Sequence, residues 1–263
     1  LVAPSRGAGL TAGAPKVPSL FSARHPETWM LGEDGQPVPS PRVSGVLSSV
    51  HHPLTFQFFC ETIDETFAKF PVAGLIWDEP KAYRPDFSKA AREKLGPAPK
   101  KEDHWRAVSA FFSRVNQHVR QRHPGKTLSM FTQAHNNLAQ TEIAAQVEHL
   151  DFFGCDGRPW DLETDRQWTP KPGEEESESG KGKVLLGRGE KILEIARKHG
   201  KKTLFLAENH NLPARMLPAL EAGLPRALAL DPDQLIFYYY PRNIEDPDRN
   251  MAIIARALAK YLR

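Results

Sequence analysis

The stretch at residues 72–80, VAGLIWDEP, decides the fold of this chain. Its first half is an apolar, partly β-branched run, which is the pattern of a strand buried on both faces. The run ends abruptly in Asp78, Glu79 and Pro80. In folds built from parallel strands and crossover helices, the carboxyl ends of the strands form the ligand-binding edge, and an acidic pair there has no packing role. The stretch therefore predicts a buried strand with two carboxylates at its functional end.

The same plan of strand and helix repeats along the chain. Apolar runs followed by polar residues predict further strands at 127–132, 150–154, 203–207 and 234–240. Apolar residues at helical spacing predict the intervening helices, at 54–70, 103–123, 140–149, 184–199, 214–221 and 247–262. Strands that alternate with helices and gather polar residues at their carboxyl ends favour an α/β fold with a parallel sheet, a (β/α)8 TIM barrel.

The number of legible strands is smaller than a closed barrel needs. Counting backwards from the last helix makes the strand before Glu79 the fourth and the strand ending at Glu208 the seventh, and a short strand at 43–50 would be the third. A barrel without its first units would leave strand edges open. We therefore predict the C-terminal five to six βα units of a longer chain, incomplete at its N-terminus or dependent on a partner for stability. Residues 1–19, rich in Gly, Ala, Pro and Ser, are predicted to be an irregular linker outside the barrel, and residues 20–263 the barrel domain.

Composition restricts the function classes. The 263 residues, 40% hydrophobic and 25% charged, suit one globular domain. A net charge of +3 without a basic stripe argues against nucleic-acid binding. The absence of a long apolar run or a signal-like segment predicts a soluble chain with no membrane partner. Cys60 and Cys155 lack metal-ligand spacing and are predicted to be free thiols, compatible with a reducing, cytoplasmic compartment. Oligomeric state and compartment stay open.

At two strand ends the chain resembles the (β/α)8 glycoside hydrolases of clan A. In that clan the fourth strand ends in Asn-Glu-Pro, which carries the acid/base, and the seventh strand carries a nucleophilic Glu. The resemblance assigns these roles to Glu79 and Glu208. Asp78 departs from the pattern, because it stands where the clan has the Asn that contacts the sugar 2-hydroxyl. The segment at 25–29, HPETW, together with Gly35, is also similar to a loop of uncharacterised barrel hydrolases that share a strand ending in Asp-Glu-Pro.

The chemistry of these residues points the same way. Glycosidic cleavage needs one protonated carboxylic acid at the leaving oxygen and one ionised carboxylate at the anomeric carbon, without any cofactor. Glu79 and Glu208 are the candidate catalytic pair, acting on an oligosaccharide or glycoside, and the resemblance implies a retaining mechanism. Sugar rings also stack on aromatic faces, and Trp77, Trp160, Trp168 and the tyrosines at 238–240 lie near strand ends.

The candidate substrate-binding residues share a position at or beside a strand end. They are Trp77, Asp78, His51, His52, Gln133, His135, Asn136, Asp156, Trp160, His210, Tyr240 and Arg242. Residues 156–182 would form a flexible rim loop. Each of these residues also has a structural explanation, because a strand-end Glu is often salt-bridged, loop histidines are seldom ligands, and Trp160 or Trp168 can pack the loop onto the barrel.

Two other functions stay open at this point. A divalent-metal-dependent barrel isomerase or hydrolase would use Glu79, His135, Asp156 and Glu208 as ligands, although no His-x-His spacing supports it. A catalytically silent carbohydrate-binding barrel is the other alternative, favoured if Glu208 is buried against an arginine. The sugar and its linkage are not encoded in any legible motif.

Overall fold

The computed structural model describes residues 2–3, 20–39, 46–80, 83–167, 182–238 and 244–261. Their contacts divide the chain into two compact units: unit 1 comprises Leu1–Met130 and Ala139–Asp151, and unit 2 comprises Phe131–Leu138 and Phe152–Arg263. The strands in the described residues are β1 (Val2–Ala3), β2 (Gly74–Asp78), β3 (Thr127–Gln133), β4 (Phe152–Gly157), β5 (Lys202–Glu208) and β6 (Gln234–Tyr238). The helices there are α1 (Leu20–Arg24), α2 (Pro53–Lys69), α3 (Lys89–Leu95), α4 (Lys101–Arg122), α5 (Leu138–Ala145), α6 (Leu162–Gln167), α7 (Glu190–Lys198), α8 (Leu217–Leu228) and α9 (Pro247–Tyr261).

The core of unit 1 is an aromatic cluster between β2 and the helices α2 and α4. Trp77 of β2 packs against Phe112 with ring centroids 5.2 Å apart and against Phe59 at 6.2 Å. Phe59 meets Phe111 edge to face, an arrangement that aromatic quadrupoles favour. Both helices therefore turn an aromatic stripe towards the strand that the sequence identified first.

The strands of unit 1 follow one another in the order β1, β2 and the first half of β3. β1 is parallel to β2, with Val2 opposite Ile76. The amide of Thr127 donates to the carbonyl of Ala73 at 3.1 Å. Gly74 allows this approach, because a Cβ at that position would lie 2.1 Å from the Thr127 carbonyl oxygen.

Two predictions about the N-terminal region were wrong. Residues 1–19 were expected to contain no strand, yet Val2–Ala3 pairs with β2. The short barrel strand expected at 43–50 is also not found: residues 40–45 lie outside the described part, and Val46 and Ser48 make isolated antiparallel bridges to Pro39 and Trp29.

Unit 2 contains the second half of β3 followed by β4, β5 and β6. β4, β5 and β6 pair in parallel, with Asp156 opposite Leu206 and Glu208 opposite Tyr238. Its core joins Trp160 to apolar side chains of α8 and α9. Gly223 of α8 lets the helix approach closely, because a Cβ there would lie 1.9 Å from the carbonyl oxygen of Pro159.

Most predicted elements are present, with shifted ends. β4 continues to Gly157, so Asp156 belongs to the strand rather than to the loop. The helix predicted from 184 begins only at Glu190, because Leu186 is extended and Gly187 has φ of 80°. The short helix α3 was not predicted. The parallel α/β fold is confirmed in each unit, and both cysteines are buried free thiols. Among the described residues, no helix combines the length and apolarity needed to cross a membrane.

Candidate functional site

Glu208, the last residue of β5, is a buried carboxylate with a cationic neighbour on each oxygen. The Lys183 ammonium donates a hydrogen bond to its Oε1 at 2.7 Å. Its Oε2 lies 3.9 Å from Nε of Arg158 and accepts no hydrogen bond within the described residues. Only 3% of the residue is exposed. The positive charge beside this carboxylate offsets part of the free-energy cost of removing it from water.

Lys183 also contacts a second carboxylate, that of Asp156 on the neighbouring strand β4. The lysine side chain is 3% exposed, so its ammonium group is buried between two acids. We call Asp156, Arg158, Lys183 and Glu208 the Lys183 cluster. Each carboxylate of the cluster lies beside a cation, and such pairing is what makes buried ionised groups tolerable.

Arg158 is fully buried and fixes the backbone that follows β5. Its Nη1 donates to the carbonyl oxygens of Glu208 at 3.1 Å and of His210 at 2.6 Å. Burial lowers the pKa of the guanidinium from its ordinary value, while Glu208, Asp165 and Asp156 oppose that shift. Arginine remains protonated even so, so Arg158 supplies a permanent charge to the cluster.

The backbone around Lys183 is anchored beside the end of β4. The amide of Arg158 donates to the Lys183 carbonyl at 2.8 Å, the amide of Leu185 donates to the Arg158 carbonyl at 2.8 Å, and Val184 pairs in parallel with Arg158. The amide of Gly182 donates to Oδ2 of Asp165 at 2.9 Å. The expectation of a flexible rim loop over 156–182 was therefore wrong at both ends, because hydrogen bonds hold them; residues 168–181, with Trp168, lie outside the described residues.

Trp160 was predicted either to stack on sugar or to pack the loop onto the barrel, and its surroundings are those of the packing role. The residue is 1% exposed, belongs to the apolar core of unit 2, and donates its indole N–H to Oδ1 of Asp165 at 3.1 Å. A ring with no exposed face offers nothing for a sugar to stack on. Trp160 instead packs the segment after β4 onto α8 and α9.

The residues after β5 continue the buried polar region. Asn209 is 1% exposed and donates from Nδ2 to Oδ1 of Asn250 at 3.2 Å. Its own Oδ1 accepts no hydrogen bond in the described part of the chain. His210, a predicted binding residue, is buried next to it. Asn209 and Asn250 were missed by the sequence interpretation, as were Lys183 and Arg158.

Three predicted binding residues, Gln133, His135 and Asn136, lie at the end of β3 and in the turn that follows it. The amide of Asn136 donates to the carbonyl of Gln133 at 2.9 Å, and Arg188 donates to the carbonyl of His135 at 3.4 Å. All three side chains are partly exposed. The turn leaves their side chains accessible, so their role in binding stays a prediction.

Glu79 directly follows β2 in unit 1 and has an unusual backbone conformation. Its φ is +42°, a left-handed conformation that residues with a Cβ seldom adopt and that a following Pro80 makes less favourable still. The residue is 5% exposed, whereas Asp78 before it is partly buried. Such a conformation costs about 1–3 kcal/mol and is concentrated at functional sites. The strain marks Glu79 as a residue that the fold holds in place.

Trp77 was also predicted to stack on sugar, and this prediction was wrong. The residue is fully buried in the aromatic cluster of unit 1, and its indole N–H donates to Oδ1 of Asn116 at 2.8 Å. The alternation of β2 turns Trp77 towards the helices. It is therefore a core residue.

The two histidines before α2 have structural roles. His52 caps the helix, its Nδ1 accepting from the Leu54 amide at 3.3 Å. His51 is buried beside Ser49, and burial lowers its pKa, an effect that Asp86 opposes. Neither position favours the predicted contact with substrate. Tyr240 and Arg242 lie outside the described residues, so their predicted roles stay predictions.

The Lys183 cluster also bears on the metal alternative. Asp156 and Glu208, two of the four predicted ligands, share one ammonium group. A divalent cation at that point would have to displace the buried lysine. Within unit 2, the Lys183 ammonium thus takes the position between these two carboxylates, and the metal alternative stays a prediction.

Solved structures of other proteins have a fold similar to that of this chain. No protein-family model matches the chain, and no curated protein matches it in sequence. Among solved structures, the glycoside hydrolase domain of PelA from Pseudomonas aeruginosa is similar, with 12% identity and a TM-score of 0.51 over 92% of this chain and 80% of that one. The galactosidase domain of alpha-galactosidase-sucrose kinase, AgaSK, is similar with 10% identity and a TM-score of 0.52 over 93% of this chain. The chain spans 28% of the AgaSK structure. The chain therefore shares the fold of these glycoside hydrolase domains.

Proposed function

We propose that this chain is a glycoside hydrolase in which Glu208 is the ionised carboxylate that acts at the anomeric carbon. The observation that carries the proposal is the asymmetry of its two oxygens. Oε1 accepts from the buried Lys183, whereas Oε2 accepts no hydrogen bond within the described residues. A carboxylate held through one oxygen keeps lone pairs on the other, which is what attack on carbon or stabilisation of an oxocarbenium-like transition state requires.

The fold supports this proposal only in a general way. Two similar structures carry the descriptions glycoside hydrolase domain and galactosidase domain. The barrel fold occurs in enzymes that catalyse many different reactions. The structural similarity therefore supports a glycoside hydrolase in general and identifies no substrate. The argument for hydrolysis rests on Glu208 and its partners.

Glu79 is the proposed general acid and base. Burial favours the neutral form of a carboxyl group, and this is the form that protonates a leaving oxygen. The left-handed backbone conformation of Glu79, directly before Pro80, supports a role for this residue other than packing.

We further propose that the reaction retains the anomeric configuration. Retention requires a carboxyl separation of about 5–5.5 Å, whereas about 6.5–9.5 Å leaves room for an inverting water. The first anomer released from an aryl glycoside, followed by proton NMR, tests this directly. Release of the inverted anomer would contradict retention while leaving hydrolysis intact.

Substitution of the two carboxylates tests the assignment. A panel of p-nitrophenyl glycosides and polysaccharides is screened first with the unmodified chain. Glu79→Gln should lower turnover about 10²–10⁴-fold, and Glu208→Gln should abolish most of it. Glu221→Gln is the matched control, because Glu221 is exposed on α8 and pairs with Arg256. Azide should restore turnover to Glu208→Ala by displacing the leaving group directly, which gives a glycosyl azide of inverted configuration, whereas any azide product of Glu79→Ala should have retained configuration. Full activity in either Gln variant would disprove the assignment.

A second candidate function is a catalytically silent carbohydrate-binding barrel. The burial of Glu208 against Arg158 and Lys183 favours it, since both cations also suffice to make the glutamate a structural residue. Calorimetry separates the two. Oligosaccharide binding that survives Glu208→Gln, with no release of reducing ends by the unmodified chain, would establish the silent alternative.

A further inference from the structure

We propose that unit 1 contains a pH-sensitive switch at His104: protonation of its imidazole ring breaks the hydrogen bond that holds the segment before α3 against α4. The inference does not depend on the proposed hydrolysis, because it concerns the conformation of the chain alone. We call Ser49, His51, Asp86, Ser88 and His104 the His104 cluster. Each of these residues is at most 5% exposed.

The hydrogen bond at the centre of the cluster joins the backbone of Asp86 to the ring of His104. The Asp86 amide donates to Nδ1 of His104 at 3.2 Å. A ring nitrogen accepts a hydrogen bond only when it carries no proton, and both ring nitrogens of an imidazolium are donors. The contact therefore requires the neutral ring with its proton on Nε2, and protonation of the ring would place two N–H groups against each other.

Asp86 connects this contact to α3. Its Oδ1 accepts from the amide of Ser88 at 2.8 Å. Ser88 is the N-cap of α3, and its hydroxyl accepts from the Ala91 amide at 3.3 Å. The helix has only seven residues, and helices of that length are unstable in water without caps and tertiary contacts. Loss of the bond between Asp86 and α4 should therefore loosen α3.

The neighbouring hydrogen bonds of the cluster do not change with the protonation of a ring. The Ser88 hydroxyl donates to Oγ of Ser49 at 3.2 Å, and the same oxygen accepts from the backbone amide of His51 at 3.2 Å. Hydroxyl and amide groups keep their protons over the pH range in which histidine titrates. The switch therefore acts through the contact of His104.

The cluster also offers an acceptor to the protonated ring. Oδ2 of Asp86 is buried and accepts no hydrogen bond within the described residues, and the charge of this carboxylate acts on the His104 ring. Hydrogen bonds between charged partners are roughly twice as strong as those between neutral ones. A protonated His104 should therefore leave the Asp86 amide and turn towards the carboxylate, which gives the switch its second state.

Burial and the surrounding charges set the direction of the pH dependence. Burial lowers the pKa of His104 from its ordinary value of 6.5, and the carboxylates of Asp86 and, on α4 itself, Asp103 oppose that shift. Burial also lowers the pKa of His51, and the charges of Lys94 and His104 lower it further. Because the folded pKa of His104 is the lower one, the stability that its neutral ring adds is present above about pH 6.5 and is lost as the pH falls through the folded pKa.

NMR of the His104 ring and of the Asp86 amide tests the inference. Long-range ¹H–¹⁵N spectra report which ring nitrogen carries a proton, with the ring signals assigned by their loss in His104→Asn. At about pH 8 we expect the proton on Nε2. On acidification the Asp86 amide proton should shift upfield with the same midpoint as the ring. A neutral ring protonated on Nδ1, or an Asp86 amide that does not move as the ring titrates, would overturn the inference.

Hydrogen exchange measures the consequence for α3. Protection factors, which correct for the intrinsic pH dependence of exchange, should fall about tenfold for the α3 amides on acidification of the unmodified chain, the effect of losing one hydrogen bond. They should stay constant in His104→Asn, because an Asn oxygen can accept from the Asp86 amide and does not titrate. His118→Asn is the matched control, since it removes another histidine of α4 and should retain the fall. An equal fall in His104→Asn and the unmodified chain would contradict the switch.

A second variant, Asp86→Asn, covers the case in which His104→Asn does not fold. The substitution keeps an oxygen that can accept from the Ser88 amide and removes the charge of the carboxylate. Because that charge favours the protonated ring, His104 should take up its proton at a lower pH in Asp86→Asn than in the unmodified chain. Equal midpoints in the two chains would show that the carboxylate does not receive the imidazolium, and the inference would fail.

Discussion

Unit 1 contains a charged cluster that makes a useful contrast with the Lys183 cluster of unit 2. On α2 and α4, Oδ1 of Asp64 lies 2.9 Å from Nε2 of His118 and 2.6 Å from Nε2 of His123. One carboxylate thus pairs with two imidazoles here, whereas around Lys183 one ammonium group pairs with two carboxylates. The side chains of this Asp64 cluster are 20–32% exposed, against 0–5% in the Lys183 cluster. The two clusters therefore differ in how far their charged side chains are buried.

Burial changes what each cluster contributes. Solvated ion pairs are screened and contribute about 0–1 kcal/mol. In a buried cluster the pairing offsets a desolvation cost of several kcal/mol per ion, so losing one member leaves a charge that nothing compensates. The Asp64 cluster therefore contributes little to stability, whereas loss of one member of the Lys183 cluster should cost about 3–5 kcal/mol.

The largest expected effect is that of Arg158→Leu. Removing the buried guanidinium leaves an excess negative charge and frees two backbone carbonyls, so the free energy of unfolding should fall by about 3–5 kcal/mol. Urea unfolding measures the change. Arg256→Leu is the control, because it breaks an exposed pair with Glu221 and should cost less than about 1 kcal/mol. An equal loss of unfolding free energy in the two variants would show that the buried and the exposed ion pairs contribute equally to stability.

A smaller effect is expected from Gly157→Ala. The added methyl would press on the carbonyl of Lys183 at 3.0 Å, and overpacking against backbone costs about 1–3 kcal/mol. The same variant should alter the NMR signal of the Glu208 carboxyl, because Lys183 must shift. A loss of stability with an unchanged carboxyl signal would show that the cluster tolerates movement of this backbone.

The smallest effect is that of Asp64→Asn. Burial opposes the shift, but hydrogen bonds from His123 and His118 prevail and lower the pKa of Asp64 below its ordinary value of 3.8. Because the folded pKa is the lower one, the stability that Asp64 adds is present above about pH 3.9 and is lost as pH falls through the folded pKa. Exposure limits it to less than about 1 kcal/mol.

Unfolding of Asp64→Asn and of the unmodified chain, compared between pH 3 and pH 7, tests that sign. The difference should shrink towards the acid end, and 1 M salt should reduce it at neutral pH by shortening the screening length to about 3 Å. A difference that grows with acidity, or that salt leaves unchanged, would mean that the Asp64 cluster behaves like the buried one.

The sequence predicted the strand and helix pattern well, and the strand-end positions of Glu79 and Glu208 with it. β5 was expected at 203–207 and forms at Lys202–Glu208. Hydrophobic periodicity is a local property, so it identifies buried strands and where they end. That the chain depends on missing barrel units or on a partner stays a prediction.

Whether an aromatic residue near a strand end faces a ligand or the core was not predictable. Trp77 was expected at a binding surface, and Trp160 either there or packed onto the barrel; both are buried with their indole N–H groups bonded inside the protein. The residue types suit either place, because a tryptophan carries a large apolar face and one polar handle. Only the packing of α2, α4, α8 and α9 decided between them.

Sequence alone determined which carboxylates end the strands; tertiary structure alone decided which of them share a cation. Lys183 stands in a charged, glycine-containing segment, GKGK, which reads as a solvated loop, and 25 positions separate it from Glu208. Contacts over such separations carry no local periodicity, so no pattern in the chain announces them. They arise when parallel strands bring residues from distant segments to neighbouring strand ends, where burial then makes their charges depend on one another.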